Sequence, residues 1–190
     1  MNMVLGVDEA GRGPLAGPVA VGVIAAPADF DFLTVFPGLN DSKKLSEKRR
    51  EALYLLLQEE IRKGTVRAKV CYASEKTIDR KGIAFAVRSA LARGVRALAP
   101  ESHNVRVYLD GSLAAPKEYM QETVIGGDAT IPAIMLASIA AKVSRDRLML
   151  RLAKEYPQYG FEQHKGYGTK AHYAALEAHG PCAIHRRSFL

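Results

Sequence analysis

The stretch MVLGVDEAGRGPLAGP, Met3–Pro18, decides how this chain is read. Met3 to Val7 is apolar at every position, which is the pattern of a strand covered on both faces of a sheet. Asp8 and Glu9 follow at its exit. Carboxylates are seldom buried unless they are paired or hold a cation. Gly11 and Gly13 then allow positive φ or a close approach of backbone to a ligand. Arg12 between them sets a guanidinium beside exposed amides, a combination suited to phosphate or sugar. A surface turn with stray charges is the alternative. The apolar strand before it and the Pro14, Gly17, Pro18 pattern after it favour a built site.

Composition bounds the rest. A chain of 190 residues with 48% hydrophobic content is expected to form one domain with an ordinary core, and disorder is excluded. The net charge of +7 points to a polyanionic partner. It is concentrated towards the end, where residues 142–190 carry nine Lys/Arg against four Asp/Glu. Four of the five histidines lie there too: His164, His172, His179 and His185. Cys71 and Cys182 read as reduced thiols, and no Cys/His zinc spacing is present. The first residues lack the signal-peptide pattern. The apolar runs Val19–Ala26 and Ile131–Ala141 fall short of the roughly 20 residues needed to cross a bilayer. The expectation is a cytoplasmic protein with no membrane partner.

Outward from Pro18, Val19–Ala26 reads as a second strand, rich in β-branched residues. The polar cluster Asp41-Ser42-Lys43-Lys44 is either a solvated start to a helix or a phosphate contact through one lysine. Ser46 caps a helix with Leu53, Leu56, Leu57 and Ile61 on one face, and Gly64 stops it. Val66–Ala73 is a third strand with Cys71 as a packing residue. Ser74 caps a short helical turn, and a second amphipathic helix runs from Ile83 to Leu98, closed by Pro100. Val105–Leu109 repeats the opening logic: an apolar strand ending in an acid and a glycine, Asp110-Gly111. Glu122–Ile125 reads as an edge strand before Gly126-Gly127-Asp128. From Ile131 the pattern is helical, with Met135, Ala137, Ile139 and Val143 inward and Lys142, Arg145, Asp146, Arg147 and Arg151 on the polar side. The HKGYGT segment, His164–Thr169, precedes a last helix from about Ala171 to Ala178. Strands joined by crossover helices make this an α/β chain, and the hairpin-like first pair makes the sheet mixed.

Asp8, Glu9, Asp110 and Asp128 each follow an apolar strand or a glycine turn. Strand ends at one sheet edge converge in space. Four carboxylates brought together repel one another unless a divalent cation joins them. All-oxygen donors favour Mg2+ or Mn2+ over zinc, and two such ions suit phosphodiester hydrolysis. A basic surface beside such a site suggests a metal-dependent nuclease. Tyr167, flanked by glycines and near His164 and Lys165, reads as a nucleic-acid contact. Phosphate contacts are assigned to one or two of Lys142, Arg145 and Arg147, with Asp146 paired to an arginine. His164 is placed near the scissile phosphate, whereas His172, His179 and His185 are structural or surface residues.

Taken together, the segments GVDEAGRGPLAGP (Gly6–Pro18), LNDSKKL (Leu39–Leu45), LDG (Leu109–Gly111), GDA (Gly127–Ala129), AKVSRDR (Ala141–Arg147), HKGYGT and HRRSF (His185–Phe189) closely resemble ribonuclease HII, the bacterial type 2 ribonuclease H. They occur in the family's order over nearly the whole chain. The resemblance implies a ribonuclease H-like fold: a mixed five-stranded sheet flanked by helices, in one catalytic domain spanning 1–190. A basic helical C-terminal extension would occupy about 150–190. It implies Asp8, Glu9, Asp110 and Asp128 as catalytic metal ligands, with two ions during catalysis. The implied reaction is endonucleolytic hydrolysis of RNA in RNA–DNA hybrids, and cleavage 5′ of ribonucleotides embedded in duplex DNA, leaving 3′-hydroxyl and 5′-phosphate ends. Gly11, Arg12 and Gly13 would read the ribose 2′-hydroxyl, and Tyr167 would pack on the sugar that follows. Lys43, Lys142 and His164 complete the expected substrate contacts, and the protein is expected to be a monomer. One departure from the family pattern is Gly82, where members often carry Asn.

Overall fold

The computed structural model describes residues 2–190. Its centre is a five-stranded mixed sheet in the order β3-β2-β1-β4-β5. β1 (Met3–Ala10) pairs antiparallel with β2 (Val19–Pro27), which pairs antiparallel with β3 (Arg67–Ala73). On its other side β1 runs parallel to β4 (Val105–Asp110), and β4 runs parallel to the edge strand β5 (Met120–Val124). The expected mixed α/β sheet is therefore present, and β1 is its pivot between antiparallel and parallel halves.

Helices cover both faces. Between β2 and β3 lie the short α1 (Phe32–Val35) and α2 (Glu47–Lys63). α2 starts where Ser46 Oγ accepts from the Arg49 amide and ends at Gly64 with φ 78°, as its sequence signals predict. α3 (Glu75–Lys81), capped by Ser74, leads into α4 (Ile83–Leu98). α4 packs Val87, Ala90, Leu91 and Val95 on Leu5, Val7, Val21, Val23, Val107 and Leu109. On the opposite face α2 joins α6 (Pro132–Glu155), the longest helix, which follows the single turn α5 (Gly127–Thr130). α7 (Phe161–His164) and α8 (Lys170–His179) complete the chain. They fold back so that Tyr159 and Phe161 form a third apolar cluster with Ala16, Met149 and Ala153.

α6 lies on the sheet at backbone distance. A Cβ on Gly6 would stand 2.2 Å from the Ala133 carbonyl, and one on Gly22 would stand 2.2 Å from the Ala137 oxygen. Strand alternation sends Gly6, Asp8 and, across the hairpin, Gly22 towards α6, and Leu5 and Val7 towards α4.

Three sequence expectations are corrected here. β1 does not stop at Val7; it runs through Asp8 and Glu9 to Ala10, because β2 pairs with it along that whole length. Arg145 is not on a solvated face of α6: it is 1% exposed. Asp146 pairs with Lys142 at 2.9 Å, one helical turn away, not with an arginine.

Gly22→Ala should destabilise the fold by about 2–3 kcal/mol, since neither backbone can yield to the added methyl. In thermal unfolding that is a fall in Tm of roughly 4–10 °C. Gly13→Ala, where a Cβ meets nothing within 4 Å, should leave Tm within about 1 °C.

Candidate active site

The parallel register sets the acids side by side. The last β1–β4 rung is Val7 opposite Leu109, so Asp8 and Asp110 are the next residues on neighbouring strands. Asp110 Oδ1 accepts from the Asp128 amide at 3.3 Å, which draws the α5 turn against the end of β4. As a result Asp8, Asp110 and Asp128 each present a carboxylate oxygen within 4.8 Å of the others.

Glu9 is arranged differently. Alternation turns it to the other side of the sheet from Asp8, and its carboxylate takes a 3.1 Å ion pair from Arg12. Both residues still line the same cleft, of about 480 Å³, with Gly11, Gly13, Ser42, Lys43, Arg50, Asp110, Ser138, Lys142 and Tyr167. Burial pushes the Asp8 carboxyl up to about 7, against a hydrogen bond from Ser138 that favours ionisation. Burial also raises Glu9, partly offset by Arg12. Lys43 reaches into the cluster, its Nζ 2.8 Å from Asp128 Oδ2, and this pairing raises its own pKa.

The donor set tests whether a divalent cation fits. Three close carboxylates, one held towards its neutral form by burial, make a hard-oxygen site whose charge a divalent cation would balance. Asp8, Asp110 and Asp128 are the residues that could hold it, with Glu9 at the margin.

The Gly11–Gly13 turn is held from below by two buried guanidiniums. Arg186, 0% exposed, donates from Nη2 to the Gly11 carbonyl, from Nη1 to the Arg12 carbonyl (both 2.7 Å) and from Nε to the Gly17 carbonyl (2.9 Å). Arg145 donates to the carbonyls of Pro18, Lys165 and Ala16. Gly11 has φ 88°, and a Cβ there would overlap the Arg145 side chain, so only glycine fits. In a trans peptide N–H and C=O point in opposite directions. Fixing the Gly11 and Arg12 carbonyls on Arg186 therefore aims the Arg12 and Gly13 amides away from it. Among the described residues those two amides donate to no protein acceptor.

The other expected contacts divide. Lys43 and Lys142 line the cleft, and Tyr167 stands on its rim, 42% exposed. His164 does not: it is buried, with Nε2 on the Tyr159 carbonyl and Nδ1 accepting from the Gly166 amide. With both ring nitrogens used inside the fold, it has no group to offer a phosphate, and that assignment is corrected. The Asp41–Lys44 segment is no solvated helix start either. Ser42 Oγ bonds Ser138 Oγ at 2.9 Å, and Arg50 holds the Ser42 carbonyl. Ser138 and Arg50 were not singled out from sequence, and Ser42 only as part of the polar cluster. The available signal was the lone serine in the apolar run Ile134–Ala141.

A family model described as Ribonuclease HII matches residues 5–190. The chain belongs to the ribonuclease HII family. A ribonuclease HII of Delftia acidovorans is 48% identical over 188 residues, covering 99% of this chain and 76% of the relative. One of a Polaromonas species is also 48% identical, covering 99% and 89%. Among solved structures, the ribonuclease HII of Archaeoglobus fulgidus, determined in complex with PCNA, aligns with a TM-score of 0.78 at 28% identity, over 99% of this chain and 95% of that one. As a member of the ribonuclease HII family, the chain is a metal-dependent endonuclease of the ribonuclease H type, acting on RNA–DNA hybrids. Among the described residues no helix is long and apolar enough to cross a membrane.

Asp8→Asn should stabilise the metal-free protein. Because the folded pKa is raised, the ionised buried carboxylate disfavours the fold, increasingly so as pH rises from 3.8 to about 7 and constantly above. The expected gain at pH 8 is on the order of a few kcal/mol, or several degrees in Tm, vanishing near pH 4. Added Mg2+ should raise the Tm of the unaltered protein and not that of the variant.

Proposed function

We propose that this endonuclease cuts on the 5′ side of ribonucleotides embedded in duplex DNA as well as within longer RNA–DNA hybrids, leaving 3′-hydroxyl and 5′-phosphate ends. The observation that carries the reading is the convergence of Asp8, Asp110 and Asp128, the first two of which line a cleft together with Gly11-Arg12-Gly13 and Tyr167. Asp8, Asp110 and Asp128, with Glu9 at the margin, would hold the divalent cations, Mg2+ or Mn2+. Two such ions, when bound, activate water and balance the charge that builds on the phosphodiester oxygens.

The chain's own groups do the rest. The Arg12 and Gly13 amides, with the Arg12 side chain, meet the ribose 2′-hydroxyl, the one group that separates RNA from DNA at a given nucleotide. Tyr167 lays its ring on the next sugar. Lys43 and Lys142 meet phosphate oxygens, which position the duplex without reading its sequence. Lys43, paired with Asp128 at 2.8 Å and largely exposed, would be the ammonium available to a phosphate if a cation took its place at that carboxylate. Residues 1–190 act as one catalytic unit, because Tyr167 and Arg186 in the C-terminal segment complete the cleft. Every group named lies on one copy, so a monomer would carry the whole site.

The deciding experiment offers a duplex with one embedded ribonucleotide beside an all-DNA control, with and without Mg2+. Only the first should be nicked, on the 5′ side of the ribonucleotide, and only with the cation. Asp110→Asn should lower the rate on the order of 10³-fold or more while leaving hybrid binding in place. Cleavage of the all-DNA duplex, or full activity in the variant, would remove this reading.

A further inference from the structure

Beneath Tyr167 lies a buried relay that the reaction described so far does not use. His172 is 0% and His185 2% exposed. His172 Nδ1 lies 2.9 Å from the Tyr167 carbonyl oxygen, and His172 Nε2 lies 2.9 Å from His185 Nε2. His185 Nδ1 faces the Cys182 amide at 2.9 Å and the Cys182 thiol at 3.1 Å.

These contacts assign every proton. An amide N–H can only donate, so His185 Nδ1 is an acceptor and its ring proton sits on Nε2. That proton is given to His172 Nε2, which must accept, so the His172 proton sits on Nδ1 and is given to the Tyr167 carbonyl. The chain runs one way, from Cys182 through His185 and His172 to Tyr167, and only neutral rings satisfy it. Burial favours that state, lowering the pKa of His172 and bringing His185 down to about 4. His164, stacked on His172 with centroids 4.5 Å apart, holds the Gly166 amide on the other side of the same tyrosine. Gly166 in turn accepts from the Leu15 amide at 2.8 Å.

We propose that His172 and His185 are positioning residues that hold the Tyr167 backbone at the height where its ring meets the sugar following the ribonucleotide. The proposal rests on the reading of Tyr167 as a substrate contact. The Tyr167 carbonyl also accepts from the Thr169 amide at 2.8 Å, which closes the tight turn. His172 adds a side-chain bond that ties this turn to α8. Tyr167 is thus fixed at its main chain while its side chain stays free to meet nucleic acid.

The test compares kcat/KM on a duplex with one embedded ribonucleotide with that on a uniform RNA–DNA hybrid, and reads the ratio. His172→Phe and His185→Phe keep the ring volume and break the relay; each should lower the ratio about tenfold relative to the unaltered protein. His172→Asn, whose amide nitrogen stands near the place of Nδ1, should restore it to within about threefold. Tyr167→Ala, run in parallel, should lower the ratio at least as far as the Phe variants do. If Tyr167→Ala lowers the ratio and both Phe variants keep it, the relay is overturned and the reading of Tyr167 stands. If Tyr167→Ala leaves the ratio unchanged, that reading fails and the relay's role fails with it. Should the Phe variants not fold, ¹⁵N-histidine spectra of the unaltered protein at pH 7 decide. Neutral Nδ1–H for His172 and Nε2–H for His185 support the relay, and a cationic ring or the opposite tautomers overturn it.

Discussion

Helix α6 rests directly on the backbone of β1 and β2, and the rest of the molecule depends on that contact. It requires Gly6 and Gly22, because any side chain there would stand inside the helix backbone. The close approach seals the α6 side of β1, so Asp8 is buried and its carboxyl is held towards the neutral form. It also brings one stripe of the helix over the cleft. Ser138, Lys142 and Arg145 are spaced i, i+4, i+7 and share a face. Ser138 meets Asp8, Lys142 lines the wall, and Arg145 passes beneath the glycine-rich turn. A slightly higher seat for the helix would loosen the acid, the wall and the turn together.

The glycine-rich turn shows how a loop becomes a rigid recognition element. Arg145 and Arg186 between them donate to six carbonyls and, among the described residues, pair with no carboxylate. Burying two guanidiniums is unfavourable, as the lowered pKa of each reflects, and Arg186 also faces the Arg145 charge. The geometry offsets this cost through forked donors that match carbonyls at several points at once. Binding the carbonyls from below leaves the amides facing outward, so the scaffold is built from the groups the substrate does not use. The same logic recurs at Tyr167, where His172 holds the main chain and leaves the ring exposed.

Much of this was legible in the residues. The apolar run before Asp8 and its echo before Asp110 marked two core strands, and Ser46, Gly64, Ser74 and Pro100 marked helix ends through local capping chemistry that needs no tertiary partner. The acids were legible as a group because like charges at strand ends call for a cation. Misreadings fell on polar residues whose partners the fold selects, some far along the chain and some within a turn or two. Arg145 has the sequence context of a solvated helix face, but its carbonyl partners lie 127 and 129 residues away. His164 sits beside a cleft residue and looks functional, whereas its ring is spent inside the fold. Glu9 was legible as an acid of the cleft, but not that strand alternation turns its carboxylate away from that of Asp8.

The sequence by itself determined the class of fold, the strands and helices, the family motifs and the identity of the acidic residues, because each follows from local periodicity, capping and side-chain chemistry. The tertiary structure alone decided the strand order, the meeting of Asp8, Asp110 and Asp128, and the burial of Arg145, Arg186, His172 and His185. Those outcomes depend on how the elements pack and which groups that packing brings within reach of one another, and such pairings leave no periodic trace in a linear chain.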